Sequence, residues 1–165
     1  MTTTKTNKPA AASSSTELRT NEKKWGKPLI EAGWTLVPNT LLARQAALGL
    51  TSTDVNILLH LVAYWWKESD LPHPSKATLA KSIGVTPRTV QRRIAAMEHA
   101  GFIKRVRRTG PFRGTQTNLY DFSGLIKEAT PYAKELLQER AERVEAHAAK
   151  VARKGPPHLK VVKSD

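Results

Sequence analysis

The sequence of 165 residues contains no cysteine. That removes disulfide bridges and thiolate metal ligands, and it leaves the redox compartment open. Long apolar runs are missing too. Nothing approaches the roughly 18 residues of a membrane-spanning segment. The first twenty residues, MTTTKTNKPAAASSSTELRT, lack the apolar stretch of a secretory signal. Acidic residues are scarce beside basic ones, 14 against 27, for a net charge of +13. Such a surface favours a polyanion: DNA, RNA or an acidic membrane face. No phosphate-binding GxxxxGK[ST] loop, nucleophile elbow or helically spaced metal-ligand pair occurs, so no enzyme, cofactor or metal is expected. The expectation is a soluble, cytoplasmic, nucleoid-associated protein that makes no use of a membrane.

Composition divides the chain. Residues 1–32 are rich in Thr, Ser, Ala and Lys without periodicity and read as a disordered basic tail. Residues 33–124 read as the folded domain, 125–154 as a C-terminal helix and 155–165 as a flexible tail. Within the domain, 33–37 reads as extended and ends before Pro38. Asn39–Leu48 reads as a helix stopped by Gly49. Thr51 and Asp54 form a capping-box-like pair ahead of a helix over 52–67. Val55, Leu58, Leu59, Val62, Trp65 and Trp66 give that helix an apolar face for the core.

Residues 74–101, PSKATLAKSIGVTPRTVQRRIAAMEHAG, carry the sharpest pattern. Ser75 is an N-cap candidate, Leu79 and Ile83 share a stripe, and Gly84 fits the left-handed end of a helix. Thr86 then caps a second helix with Pro87 at its first position. Val90, Ile94 and Met97 recur on one face, and Gly101 closes it. After Gly101 the period falls to two. Phe102–Arg108 and Thr117–Phe122 read as strands, joined by a loop with two glycines and a proline. The span 101–121 is the densest in positive charge, with five basic residues and one acidic. After it, Thr130 and Pro131 read as the start of a long helix. Its Leu137, Ala141, Val144, Ala148 and Val151 are spaced 4, 3, 4, 3, a heptad seam suited to a homodimer.

The run VPNTLL at 37–42, LGLTSTDVNILLHL at 48–61, Pro74-Ser75, LAKSIGVTPRTVQRRIAAMEHAGFI at 79–103 and Asn118-Leu119-Tyr120 resembles the winged helix-turn-helix domain of phage and plasmid replication and regulation proteins. The resemblance covers about residues 36–122. It implies a mainly α fold with a small β-wing (α+β), with double-stranded DNA as the ligand. It leaves three roles open: a transcriptional regulator of a mobile element, a replication initiator or replisome organiser, and a module for protein contact. The transcription or replication machinery would be the further partner.

In such a fold the second helix reads bases. On an ideal wheel of about 100° per residue, Val90, Ile94 and Met97 cluster on one side. Arg88 and Arg92 point away from them, with Thr89 and Gln91 on the flanks. Arg pairs bidentately with guanine and Gln with adenine, so Arg88, Thr89, Gln91 and Arg92 form the base-reading set. Ser75, Lys76 and Thr78 at the preceding helix start, together with Arg93, suit the DNA backbone. The wing offers Lys104, Arg105, Arg107, Arg108 and Arg113, the last placed to enter a minor groove. The seam for a homodimer is Leu137, Ala141, Val144 and Ala148.

Overall fold

The computed structural model describes residues 15–108 and 117–154. Its elements follow local signals. Thr51 accepts from the Asp54 amide while the Asp54 carboxylate accepts from the Thr51 amide, a complete capping box that starts α4, Ser52–Val62. Ser75 accepts from the Thr78 amide at 3.0 Å and starts α5, Lys76–Ile83. Gly84 ends α5 at φ 80°, a left-handed conformation that costs glycine little. Thr86 accepts from the Thr89 amide at 3.1 Å and starts α6, Pro87–His99. Past α6, Gly101 at φ 77° turns the chain so that the Phe102 amide donates to the Met97 carbonyl. β1, Lys104–Val106, pairs antiparallel with β2, Leu119–Asp121, setting Arg105 opposite Tyr120. With α7, Ser123–Lys154, this is a winged helix-turn-helix.

One apolar core holds these elements together. Ile57, Leu58 and Leu61 of α4, Leu79 of α5, and Val90, Ile94 and Met97 of α6 are buried with Ile103, Tyr120, Phe122 and Leu125. The Tyr120 amide donates to the Pro72 carbonyl at 2.9 Å and pins β2 to the chain ahead of α5. The start of α7 sits hard against the end of α6. The Leu125 amide donates to the Phe102 carbonyl at 2.9 Å. A Cβ on Gly124 would fall 1.8 Å from the Gly101 carbonyl oxygen, so only glycine fits there. Beside α7, an apolar groove of about 610 Å³ is lined by Trp34, Leu41, Val62, Trp65, Ile126 and Ala129, among others.

Several boundaries differ from the sequence expectations. Ser15–Trp25 is helical (α1) and Lys27–Glu31 forms a short helix (α2), where a disordered tail was expected. Arg19, Glu22, Lys23 and Lys24 are good helix formers, and that propensity outweighs the lack of periodicity. The helix expected over 39–48 is only Asn39–Ala43 (α3), followed by turns to Gly49. Gly49 at φ 67° reverses the chain so that both Leu48 and Leu50 reach the core. On a continuous helix, residues two apart diverge by about 200°. The helix expected to reach Lys67 stops at Val62. Its bonding tightens there: the Ala63 amide donates to Leu59, but the Tyr64 and Trp65 amides donate to Leu61 and Val62. This swings Trp65 onto Phe122, with ring centroids 5.4 Å apart, and leaves Trp66 exposed. Finally, α7 starts at Ser123 rather than Thr130, so it crosses the boundary expected at 124/125. The Asp121 carboxylate accepts from the Ser123 amide at 2.8 Å and caps it. Thr130 lies inside the helix, where its hydroxyl donates to the Ile126 carbonyl at 2.6 Å. Pro131 is tolerated because the carbonyl it deprives of a partner belongs to the exposed Lys127.

Candidate nucleic-acid interface

The amphipathic spacing of α6 fixes which side chains remain available. With Val90, Ile94 and Met97 buried, Arg88, Gln91, Arg92 and Ala95 are exposed and Thr89 is half-buried. The Thr89 hydroxyl pairs with that of Thr86 at 3.0 Å. No residue from 71 to 97 is acidic, while Lys76, Lys81, Arg88, Arg92 and Arg93 are basic. Of these, Arg93 is paired with Asp54 of α4, while no acidic residue within the run lies beside Lys76, Lys81, Arg88 and Arg92. This acid-free run is visible in the sequence as a charge pattern rather than as a motif. It adds the exposed Lys81 of α5 to the candidate set.

The backbone-contact set divides. Lys76 and Thr78 are exposed, and Ser75 is half-buried with its hydroxyl serving the α5 cap. Lys76 Nζ donates to Gln91 Oε1 at 3.0 Å, joining the two helices across the turn. The Gln91 oxygen keeps a second lone pair and its NH₂ stays free to donate.

Arg93 departs from the phosphate role. Its Nε donates to Asp54 Oδ1 at 2.7 Å and its Nη2 donates to Oδ2. The Asp54 side chain keeps 2% of its surface exposed and that of Arg93 keeps 26%. Burial pushes the Asp54 carboxyl up, but the hydrogen bonds from Arg93 and Thr51 outweigh it and hold the carboxyl below its usual range. The Arg93 guanidinium is thus committed to joining α6 to the start of α4.

The wing divides in the same way. Lys104 and Arg107 are exposed and Arg108 is half-buried. Arg105 turns inward beside Tyr120. Its Nε donates to Glu98 Oε2 at 2.7 Å, its Nη2 donates to the same oxygen, and its amide donates to Oε1 at 3.3 Å. Those hydrogen bonds draw the Glu98 carboxyl below its usual range. Strand alternation separates Arg105 from Lys104, and Arg105 anchors the wing to the last turn of α6 instead of facing outward. Arg113 lies outside the described residues. Leu137, Ala141, Val144 and Ala148 are all exposed on α7.

Capped helices around a glycine turn, an exposed basic face on the second and a two-stranded hairpin behind it define the winged helix-turn-helix class. Residues 48–103 match the family model of helix-turn-helix domains. Among solved structures, the chain is similar to the N-terminal domain of DnaD protein from Geobacillus kaustophilus HTA426. The TM-score is 0.50 at 20% identity, over 74% of this chain and 96% of that one. It also matches the transcriptional regulator PA3341, with a TM-score of 0.39 at 22% identity over 84% and 92%. A third match is a possible transcriptional regulator from Methanosarcina mazei Go1, with a TM-score of 0.37 at 18% identity over 64% and 82%. No curated protein sequence matches the chain. Among the described residues, no helix is long and apolar enough to cross a membrane.

Proposed function

We propose that this protein binds double-stranded DNA at a specific sequence and regulates transcription in a mobile genetic element, acting by occupying its site. The observation that carries this reading is the exposed face of α6, where Arg88, Gln91 and Arg92 stand free of acids on a helix whose other face is locked into the core. Such a helix is narrow enough for the major groove, and its side chains carry the donors that read guanine and adenine edges. Lys76, Lys81, Lys104 and Arg107 then supply phosphate contacts around it.

A footprint on the DNA upstream of the protein's own gene tests the proposal. Protection of an inverted repeat overlapping a promoter supports regulation. Protection confined to direct repeats in a replication origin would assign the protein to replication initiation instead. On the protected site, Arg88→Ala or Arg92→Ala should each weaken binding by about 1–3 kcal/mol and affect random duplex less. Equal losses on specific and random DNA would reduce both residues to phosphate contacts.

A further inference from the structure

From Leu137 to Arg153 every residue of α7 is exposed. Most helical stability in proteins comes from packing an amphipathic face, and this stretch of α7 has no face packed on its own domain. Its apolar residues are not scattered. Leu137, Val144 and Val151 repeat every seven residues and are 67%, 63% and 60% exposed, and Ala141 and Ala148 lie between them. This is a heptad seam with the larger side chains at d and alanine at a.

The flanks of the seam identify its partner and orientation. Arg140 precedes an a position and Glu145 follows a d position, which places them at g and e. Neither has an opposite charge three or four residues away on its own helix. Arg140 is neighboured there by Leu136, Leu137, Arg143 and Val144, and Glu145 by Ala141, Glu142, Ala148 and Ala149. Two copies in parallel would place each Arg140 beside Glu145 of the second copy, because g meets the e five residues on. An antiparallel pair would turn g toward g and e toward e, setting Arg140 against His147 and leaving Glu145 near Glu145 or Gln138.

We propose that α7 from Leu137 onward forms a parallel two-stranded coiled coil with a second copy of this chain, in register through Leu137, Val144 and Val151 and oriented by Arg140–Glu145 pairs. The proposal does not depend on the DNA reading, and its test contains no DNA. The seam is short and its a layer is alanine, so the association is weak and concentration-dependent.

The absence of cysteine makes the test clean. Single variants Leu137→Cys, Val151→Cys and, on the outer face, Ala146→Cys are oxidised separately and in pairwise mixtures. Val151→Cys should form a covalent dimer about tenfold faster than Ala146→Cys, because thiols at d face each other in a parallel coil. A mixture of Leu137→Cys and Val151→Cys should give only the two homodimers. Adding Val144→Glu to Val151→Cys should bring crosslinking down to the Ala146→Cys rate, with helicity checked by circular dichroism. Adding Arg140→Glu should slow it, and Glu145→Arg on top should restore it, a rescue that a purely intrahelical role does not produce. Mixed 137–151 dimers would overturn the parallel orientation. Equal rates at 151 and 146, or no rescue, would overturn the seam.

Discussion

Asp54 makes two connections with one carboxylate. Its Oδ2 accepts from the Thr51 amide at 2.8 Å and the Thr51 hydroxyl at 2.6 Å, closing the cap of α4. Its Oδ1 accepts from Arg93. Removing Arg93 leaves a buried carboxylate without a counter-charge. Arg93→Ala should therefore destabilise the fold by about 3 kcal/mol, near the low end for breaking a buried pair because the guanidinium is partly solvated. Denaturant titration should show a lower midpoint with an unchanged slope. The pH dependence follows from the sign of the shift. A carboxyl held below its unfolded value stabilises the fold above the ordinary carboxylate range, and that stabilisation is lost as pH falls through the lowered value. Asp54→Asn has no such proton to bind, so its melting temperature should fall less between neutral and acid pH than that of the wild type. Parallel melting curves for the two proteins would contradict this account.

At the scale of elements, α5 and α6 were legible in the sequence and the wing only partly so. The signals that shape α6 lie within it or within two residues of its ends: the Thr86 cap, Pro87, the spacing of Val90, Ile94 and Met97, and Gly101. What the sequence did not disclose are partnerships between distant segments. Arg93 and Asp54 are 39 residues apart, and nothing local distinguishes Arg93 from Arg92 except its side of the helix. The stop of α4 at Val62 is another case, because the apolar pattern runs on through Trp65 and Trp66 while packing against Phe122 pulls Trp65 out of it. Arg105 shows how such a partnership governs an element. Its bonds to Glu98 tie β1 to α6, with side chains 31% and 33% exposed. Glu98→Ala should cost no more than about 1 kcal/mol globally, as expected for a partly solvated pair. Its local effect should be larger: amide exchange at Arg105, which donates to Glu98, should quicken while exchange in α4 stays slow. Uniform acceleration across the domain would mean that Glu98 supports the whole core.

For the whole molecule, α7 serves two regions with different loyalties. Its base belongs to the domain. Leu125 is buried, Ala129 and Tyr132 pack against the core, the Tyr132 hydroxyl donates to the Ala47 carbonyl at 3.5 Å, and Arg44 pairs with Glu139 at 2.5 Å. Beyond Glu139 no described residue is even half-buried. The sequence reads as a domain ending at 124 with a fresh helix start at Thr130 and Pro131. In the structure α7 touches the domain as far as Glu139, some fifteen residues beyond 124. Shortened chains should register the difference. A chain ending after Arg140 keeps the buried residues, the hydrogen bond and the ion pair that join α7 to the domain, and should unfold at the same denaturant midpoint as the full chain. A chain ending after Ile126 loses Ala129, Tyr132 and Glu139, exposes one wall of the apolar groove, and should unfold at a clearly lower midpoint. The burial of Tyr132 and Ala129 is worth on the order of 2–3 kcal/mol in transferred apolar surface. Equal midpoints for the two shortened chains would show that α7 beyond Ile126 adds nothing to the domain and acts there as a projecting arm.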